Sequence, residues 1–368
     1  MEFLCNSKIL SQVVNNVCLT LIKKNNPISI LDGILLECYS NELKLTTFNL
    51  NLAIIKKIKV QTLQEGKIIL NAQLFNDILK KLNNSNINFQ SNKNLQTTIT
   101  DNETKFQLTG INANKFPKIF DIQNNEKITI NQLDFKNMLY QTLFAIAPTS
   151  TQNPVLCGSL FKINNDSFQI ISLDGYRVAI TKQFINNFNI KTQFIISSKT
   201  LNEIFKILNE EETSKNIKIN FNSKYASFYI NGYEIYTKLL EGEFLNYKQA
   251  ISQNYETILT INSKKLIESI EKISVMITNN VSIILKITDS KIELNCQSML
   301  GTAKDCLHTK IKGKPIEKIA FNSKYMLDAL KHTQCENVKI CFNGALSPIK
   351  IIPEKNENFI FLVLPIRI

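Results

Sequence analysis

Residues 194–205 read Phe194-Ile195-Ile196-Ser197-Ser198-Lys199-Thr200-Leu201-Asn202-Glu203-Ile204-Phe205. An apolar run meets a small polar residue, and the stretch beyond it places Leu201, Ile204 and Phe205 on one helical face. This is the pattern of a strand, an N-cap and an amphipathic helix. The pattern returns in Ile68-Ile69-Leu70-Asn71-Ala72-Gln73-Leu74-Phe75-Asn76-Asp77-Ile78-Leu79. It returns again in Ile319-Ala320-Phe321-Asn322-Ser323-Lys324-Tyr325-Met326-Leu327-Asp328-Ala329-Leu330. With three less regular copies, the starts fall at Asn6, Asn71, Asn131, Ser197, Asn262 and Asn322, spaced by 65, 60, 66, 65 and 60 residues. Such a period means one unit stacked or closed on itself, as in a solenoid, a propeller or a ring.

After the first copy in each third the same hairpin recurs. Ile34–Tyr39 turns through Ser40-Asn41-Glu42 into Leu43–Thr47. Leu160–Ile163 turns through Asn164-Asn165-Asp166 into Phe168–Ser172, and Ile283–Ile287 turns through Asp289-Ser290 into Ile292–Asn295. Alternating apolar and polar positions predict antiparallel sheets with one solvated face. The pattern resets after Phe116-Pro117-Lys118-Ile119-Phe120 and after Glu241-Gly242-Glu243-Phe244-Leu245-Asn246-Tyr247. The 368 residues therefore divide into three domains of two units each, closely coupled by short junctions.

Composition narrows the function. No apolar run approaches the length of a bilayer span. Met1-Glu2-Phe3-Leu4-Cys5 lacks the basic and apolar regions of an export signal. The eight cysteines contain no Cys-x-x-Cys pair and only His308 and His332 stand beside them, so neither zinc nor a disulfide framework is expected; a reducing cytosol is. No P-loop, His-Glu-x-x-His or dinucleotide fingerprint is present. The acids Glu210-Glu211-Glu212 read as a solvated face rather than a metal site.

The net charge of +12 admits two sources, a polyanionic partner or an A/T-rich genome, because lysine, asparagine and isoleucine share such codons. Of 43 basic residues only Arg177 and Arg367 are arginine. They are either two unrelated ion pairs or two parts of one site that needs the planar fork of a guanidinium. Lys80, Lys206 and Lys331 share one register in the second helix of each third. Lys8, Lys136, Lys264 and Lys265 lie in the first helices. They read either as solvated helix faces or as repeated, sequence-blind phosphate contacts.

Gly158-Ser159-Leu160-Phe161, Leu173-Asp174-Gly175-Tyr176-Arg177-Val178-Ala179, the 241–247 segment, Phe321-Asn322-Ser323-Lys324-Tyr325 and the ending Leu364-Pro365-Ile366-Arg367-Ile368 together resemble the bacterial DNA polymerase III beta subunits, the replication sliding clamps. The resemblance runs the whole length. It implies an α+β fold of three similar clamp domains over 1–122, 127–245 and 246–368, each two β-α-β-β-β modules. Helices would line a central hole, with antiparallel sheets outside. It further implies a cytoplasmic bacterial homodimer closed around double-stranded DNA without base recognition, free to slide and without cofactor, metal or membrane. Such a non-catalytic accessory subunit tethers the polymerase III alpha subunit, the clamp loader and other replication and repair proteins.

By that resemblance a partner-peptide pocket comprises Leu156, Leu173, Gly175, Tyr176, Arg177, Val178, Leu245, Asn322, Tyr325, Leu346, Leu362, Leu364, Pro365, Ile366, Arg367 and Ile368. Both arginines are in it. The DNA-facing lysines would be Lys8, Lys23, Lys24, Lys80, Lys136, Lys199, Lys206, Lys264 and Lys331. The subunit interface would bring Ile78, Phe106 and Leu108 against Val275 and Met276. Leu173, Tyr176 and Leu245 stand where the family commonly has threonine, histidine and proline, which changes the preferred peptide. Asn153 replaces an arginine before Pro154-Val155-Leu156. Asp305 is what is left of an acidic cluster, so the interface is expected to be chiefly apolar. Two other readings compete. A catalytic nucleic-acid enzyme would need converging carboxylates, and a scaffold that never encircles DNA would show no preference for closed DNA.

Overall fold

In the computed structural model every one of the six expected caps is made, and each starts a helix where an apolar strand ends. Residues 1–21, 30–82, 86–102, 104–120, 122, 126–185, 191–208, 215–252, 254–277, 282–299 and 301–367 are described. The helices are α1 Ser7–Val17, α2 Ala72–Leu79, α3 Gln132–Leu143, α4 Ser198–Leu208, α5 Ser263–Ser274 and α6 Ser323–Lys331. The Asn6 side chain accepts from the amides of Lys8 and Ile9, Asn71 from Leu74 at 2.8 Å, and Asn131 from Leu133 at 2.8 Å. Ser197 accepts from Thr200, Asn262 from Lys265, and Asn322 from Lys324 and Tyr325. Each cap satisfies donors that the first helical turn would leave orphaned, contributing about 1 kcal/mol.

The helices bury one face. Leu10, Val13, Val14 and Val17 of α1 are buried, as are Leu201, Ile204, Ile207 and Leu208 of α4 and Leu266, Ile270 and Ile273 of α5. The hairpins fall where the alternation places them. Gly33–Tyr39 and Glu42–Phe48 pair from Tyr39↔Glu42, with Ser40 and Asn41 between them at φ 51° and 61°. Those left-handed angles give a two-residue turn whose twist matches the strands. Gly158–Asn164 pairs with Ser167–Leu173, and Ile283–Ile287 with Lys291–Ser298. All strand pairings among the described residues are antiparallel, in four sheets of five, eight, nine and five strands, and none of the sheets closes into a barrel. Among the described residues no helix is long and apolar enough to cross a membrane. The Glu210–Glu212 acids lie outside them.

The compact units do not follow the three sequence domains. One contains residues 1–133 and 202–239, the other 134–201 and 240–368. Within the first, the strand Leu52–Lys59 pairs with Tyr233–Lys238, from Lys56↔Tyr233 to Leu52↔Thr237. Phe120 stacks on Tyr225 with centroids 4.2 Å apart, and Lys56 lies over the Tyr233 ring and donates to the Asn231 carbonyl. Within the second, the strand Arg177–Phe184 pairs with Phe359–Val363 in the same way. A sheet thus runs through each junction, and the middle third supplies strands to both.

A second regularity concerns the strands that precede α2, α4 and α6. Each has its outer edge covered by a segment from the end of its own third. Ile69 bridges Ile111, Ile195 bridges Leu240, and Ala320 and Phe321 pair with Ile366 and Pro365. In the second unit, Phe161 and Phe168 pack on Phe135 of α3, which puts Leu160, Ile171, Ile180 and Ile195 on the opposite sheet face. The segment from Leu240 to Ile251 lies over that face through Leu240, Phe244, Tyr247 and Ile251.

Candidate functional site

The residues that the sequence reading groups into a pocket fall, where they are described, within the second unit. The loop between Ser167–Leu173 and Arg177–Phe184 is built by Asp174. One of its oxygens accepts from the amides of Tyr176 and Arg177, at 2.9 and 3.0 Å. Gly175 adopts φ 91°, in the region that glycine tolerates best. The turn presents Tyr176 outward, 60% exposed, and its ring stacks on Tyr325 at 5.7 Å. The Tyr176 carbonyl accepts from the Leu364 amide at 2.9 Å, fixing the start of the C-terminal segment against the loop.

Arg177 points the other way. Its Nε donates to Asp174 Oδ2 at 2.9 Å and its Nη1 donates to Asp328 Oδ2 of α6. Its guanidinium lies 4.7 Å from the Tyr325 centroid and 5.5 Å from that of Phe144. The Arg177 and Asp174 side chains retain only 11% and 7% of their exposure. A planar fork can satisfy two carboxylates and stack at once; an ammonium cannot. That accounts for an arginine here in a lysine-rich chain. Arg367 is exposed, just beyond the strand Pro365–Ile366 that pairs with Phe321 and Ala320.

Next to this polar brace lies an apolar floor. Leu156 and Leu173 are buried with Ala147, and Val178, Phe244 and Tyr247 pack against them. Val178 pairs with Leu362 across the strands. Leu245, Leu346, Leu364 and Ile366 expose apolar surface, Leu346 by 70%. Asn322 caps α6, which sets Tyr325 and Asp328 three residues apart on one helical face. Ile368 lies outside the described residues.

Three groups in this arrangement escape the sequence reading: Asp328, Phe144 and His332. His332 stacks on Phe144 at 4.7 Å and lies 4.6 Å from Tyr140, and its Nδ1 is 2.7 Å from the Asp328 carbonyl. Burial, and then the Arg177 charge, lower its pKa below the usual histidine value against the opposing pull of Asp328. Burial raises the Tyr325 pKa, helped by Asp174. One signal for Asp328 was available, its i+3 spacing from Tyr325. Phe144 and His332 carry none, because they meet across 188 residues of chain. Among the described residues no group of three His, Cys, Asp or Glu could hold a metal. Burial pushes the thiols of Cys5 and Cys18 up to about 12, so they are inert at neutral pH.

The lysines divide by environment. Lys8 and Lys80 in the first unit and Lys264 in the second are exposed, while Lys136 and Lys199 are half-buried. Lys206 pairs with Glu203 at 2.8 Å and Lys331 with Glu271 at 2.6 Å. With their lysine ends exposed, such pairs contribute little to stability. Lys23 and Lys24 lie outside the described residues. Of the interface residues, Ile78 is buried. Phe106 and Leu108 are half-buried on the edge strand Thr104–Thr109, Val275 is 81% exposed after α5, and Met276 is half-buried. Asp305 accepts from Ser269 Oγ at 2.7 Å.

Six capped strand–helix units set among antiparallel sheets, two to each third of the chain, define a protein of the sliding-clamp class. Family models for the DNA polymerase III beta subunit match residues 1–120 as its N-terminal domain, 129–246 as its central domain and 248–367 as its C-terminal domain. The chain belongs to the DNA polymerase III beta subunit family. A beta sliding clamp of Staphylococcus epidermidis is 28% identical over 364 residues, 96% of each chain. A putative DNA polymerase III beta subunit of Eubacterium rectale has a TM-score of 0.93 at 28% identity, covering 100% of this chain and 99% of that one. The DNA polymerase sliding clamp of Bacillus subtilis has a TM-score of 0.94 at 25% identity, again over 100% and 99%.

Proposed function

We propose that the chain is a replication processivity factor whose two copies close head to tail around duplex DNA. The observation that carries this is the sixfold capped strand–helix unit, matched over its whole length by one family of clamps. Three domains, with boundaries at 1–122, 127–245 and 246–368, are doubled by a dimer to give twelve helices around a hole. Lys8, Lys80, Lys136, Lys199, Lys206, Lys264 and Lys331 touch phosphates without reading bases, so the ring slides. Closure comes from the edge strand Thr104–Thr109 with Phe106 and Leu108, backed by Ile78, meeting the Val275 and Met276 region of the next subunit. That pairing removes the exposed edges.

The pocket around Arg177 takes a short hydrophobic peptide from the polymerase alpha subunit, the clamp loader and other replication and repair proteins. Its apolar floor supplies affinity, the Tyr176–Tyr325 pair and the exposed Arg367 fix polar ends, and Arg177 braces the loop behind them. The protein works in the bacterial cytoplasm and performs no chemistry of its own. The test is topological. Protein loaded on nicked circular DNA should be lost when the circle is cut and retained when it is not. Equal retention before and after cutting would refute encirclement.

A further inference from the structure

The sheet face opposite α3 carries a basic surface at the end not covered by the 240–251 segment, where no lysine is ion-paired among the described residues. The register brings four side chains into a row: Gln193 beside Lys162, Lys162 beside Gln169, Gln169 beside Lys182. The next row begins at Lys191 and ends at Phe184, through Asn164 and Ser167. All point the same way as Leu160, Ile171, Ile180 and Ile195, because residues two apart share a face. The strands Gly158–Asn164, Ser167–Leu173, Arg177–Phe184 and Lys191–Ser197 contain no Asp or Glu, and Asp166, exposed in the turn between the first two, is the acid beside the second row. Lys248, from the covering segment, is brought against Lys162. The Lys162 pKa is drawn below the ordinary lysine value by burial first and by Lys248 and Lys191 after it, so these cations crowd one another.

Beside them stands an aromatic ring. Phe184 is 74% exposed, and the Lys182 ammonium sits 5.0 Å from its centroid. With the strands spaced by about 4.8 Å, Lys162 and Lys182 lie two strands apart, leaving room for an extended chain between and across them.

We propose that this face binds single-stranded nucleic acid, with Lys162, Lys182, Lys191 and Lys248 on its phosphates and Phe184 stacking on a base. Clustered lysines that make no ion pair among the described residues suit any polyanion. The exposed ring decides among them. Base faces are free in a single strand and occupied in a duplex, and every unpaired base offers a π face, whereas a run of Asp and Glu offers no aromatic ring to Phe184. The glutamines between the lysines supply donors that do not depend on sequence. The face shares the strand of Val178 and the segment of Leu245 with the pocket, but Lys162, Lys182, Lys191, Lys248 and Phe184 are neither pocket residues nor helix lysines, so it does not rest on ring closure.

Anisotropy of a short labelled oligothymidylate with the full chain, over a salt series, tests the assignment. The triple variant Lys162→Gln, Lys182→Gln, Lys248→Gln should bind more weakly, with a log–log salt slope smaller in magnitude by about 2. Phe184→Ala should weaken binding about fivefold or more, and Phe184→Tyr should restore it. A triple Lys→Arg variant should keep wild-type affinity, and its melting curve controls for folding. A duplex of the same length should lose no affinity in Phe184→Ala, because its base faces are already stacked. Unchanged affinity and slope in the triple glutamine variant would overturn the proposal. Loss in that variant with no effect of Phe184→Ala, and equal competition by oligoglutamate, would assign the face to acidic peptides and overturn it as well.

Discussion

Replacing Arg177 by lysine keeps the charge and removes the fork. In the native protein Nε holds Asp174 and Nη1 holds Asp328, while the plane lies over Tyr325. A lysine reaches one of those carboxylates. The lost charge-assisted bond is worth roughly 1.5–3 kcal/mol in a site this buried. The lost part of the cation–π contact adds about 0.5–1 kcal/mol. Asp174 keeps its two amide donors, so the loop is loosened rather than left with a bare charge. A net loss of about 2 kcal/mol follows, shared between stability and the preorganisation of Tyr176 and Tyr325; expressed wholly in binding it would be about thirtyfold. We expect about a tenfold weaker complex with a labelled clamp-binding peptide, measured by anisotropy, and a lower urea midpoint. Combining Arg177→Lys with Asp328→Asn should cost less than the sum of the two, because they share a bond. Peptide affinity unchanged within twofold, or strict additivity of the pair, would refute the role given to this brace.

Deleting residues 364–368 removes the segment that pairs with Ala320 and Phe321 and donates the Leu364 amide to the Tyr176 carbonyl. Peptide binding should be abolished while dimer mass in solution is kept. Asn322→Ala removes the acceptor for the Lys324 and Tyr325 amides and should cost about 1 kcal/mol in chemical denaturation, with a parallel loss of peptide affinity. His332 has a folded pKa below its unfolded one, chiefly through burial. Below an unfolded pKa of about 6.5 the unfolded chain therefore takes up the proton that the folded chain resists. Its contribution is present above that pH and lost as pH falls toward the folded value. His332→Gln should flatten the stability profile across that window, and an NMR titration of its ring should give the lowered value directly.

How much of this the sequence carries depends on range. The caps were legible because an Asn or Ser between an apolar run and an amphipathic run is a local signal. The hairpin at Ser40-Asn41 was legible for the same reason. Arg177 was legible by its rarity, but its partners were only partly so. Asp174 reads as a turn residue, which it also is, and Asp328 reads as one more polar position on α6. The pairing of Leu52–Lys59 with Tyr233–Lys238 was not legible at all. Both strands alternate acceptably by themselves, and nothing local says that they meet across 174 residues. The covering of the sheet by Phe244 and Tyr247 is of the same kind. Their apolar character was visible in a junction, and the surface they cover was not.

The sheets that run through the junctions separate two things usually taken together, the unit that was repeated and the unit that can stand alone. The repeat is a third of the chain. Cutting out its middle copy would strip Tyr233–Lys238 from Leu52–Lys59 and Arg177–Phe184 from Phe359–Val363, baring two long ladders of unpaired backbone groups. A fragment made that way would be sticky rather than modular. Insertions and fusions are therefore better accepted at the turns of the hairpins than at the borders between the repeats.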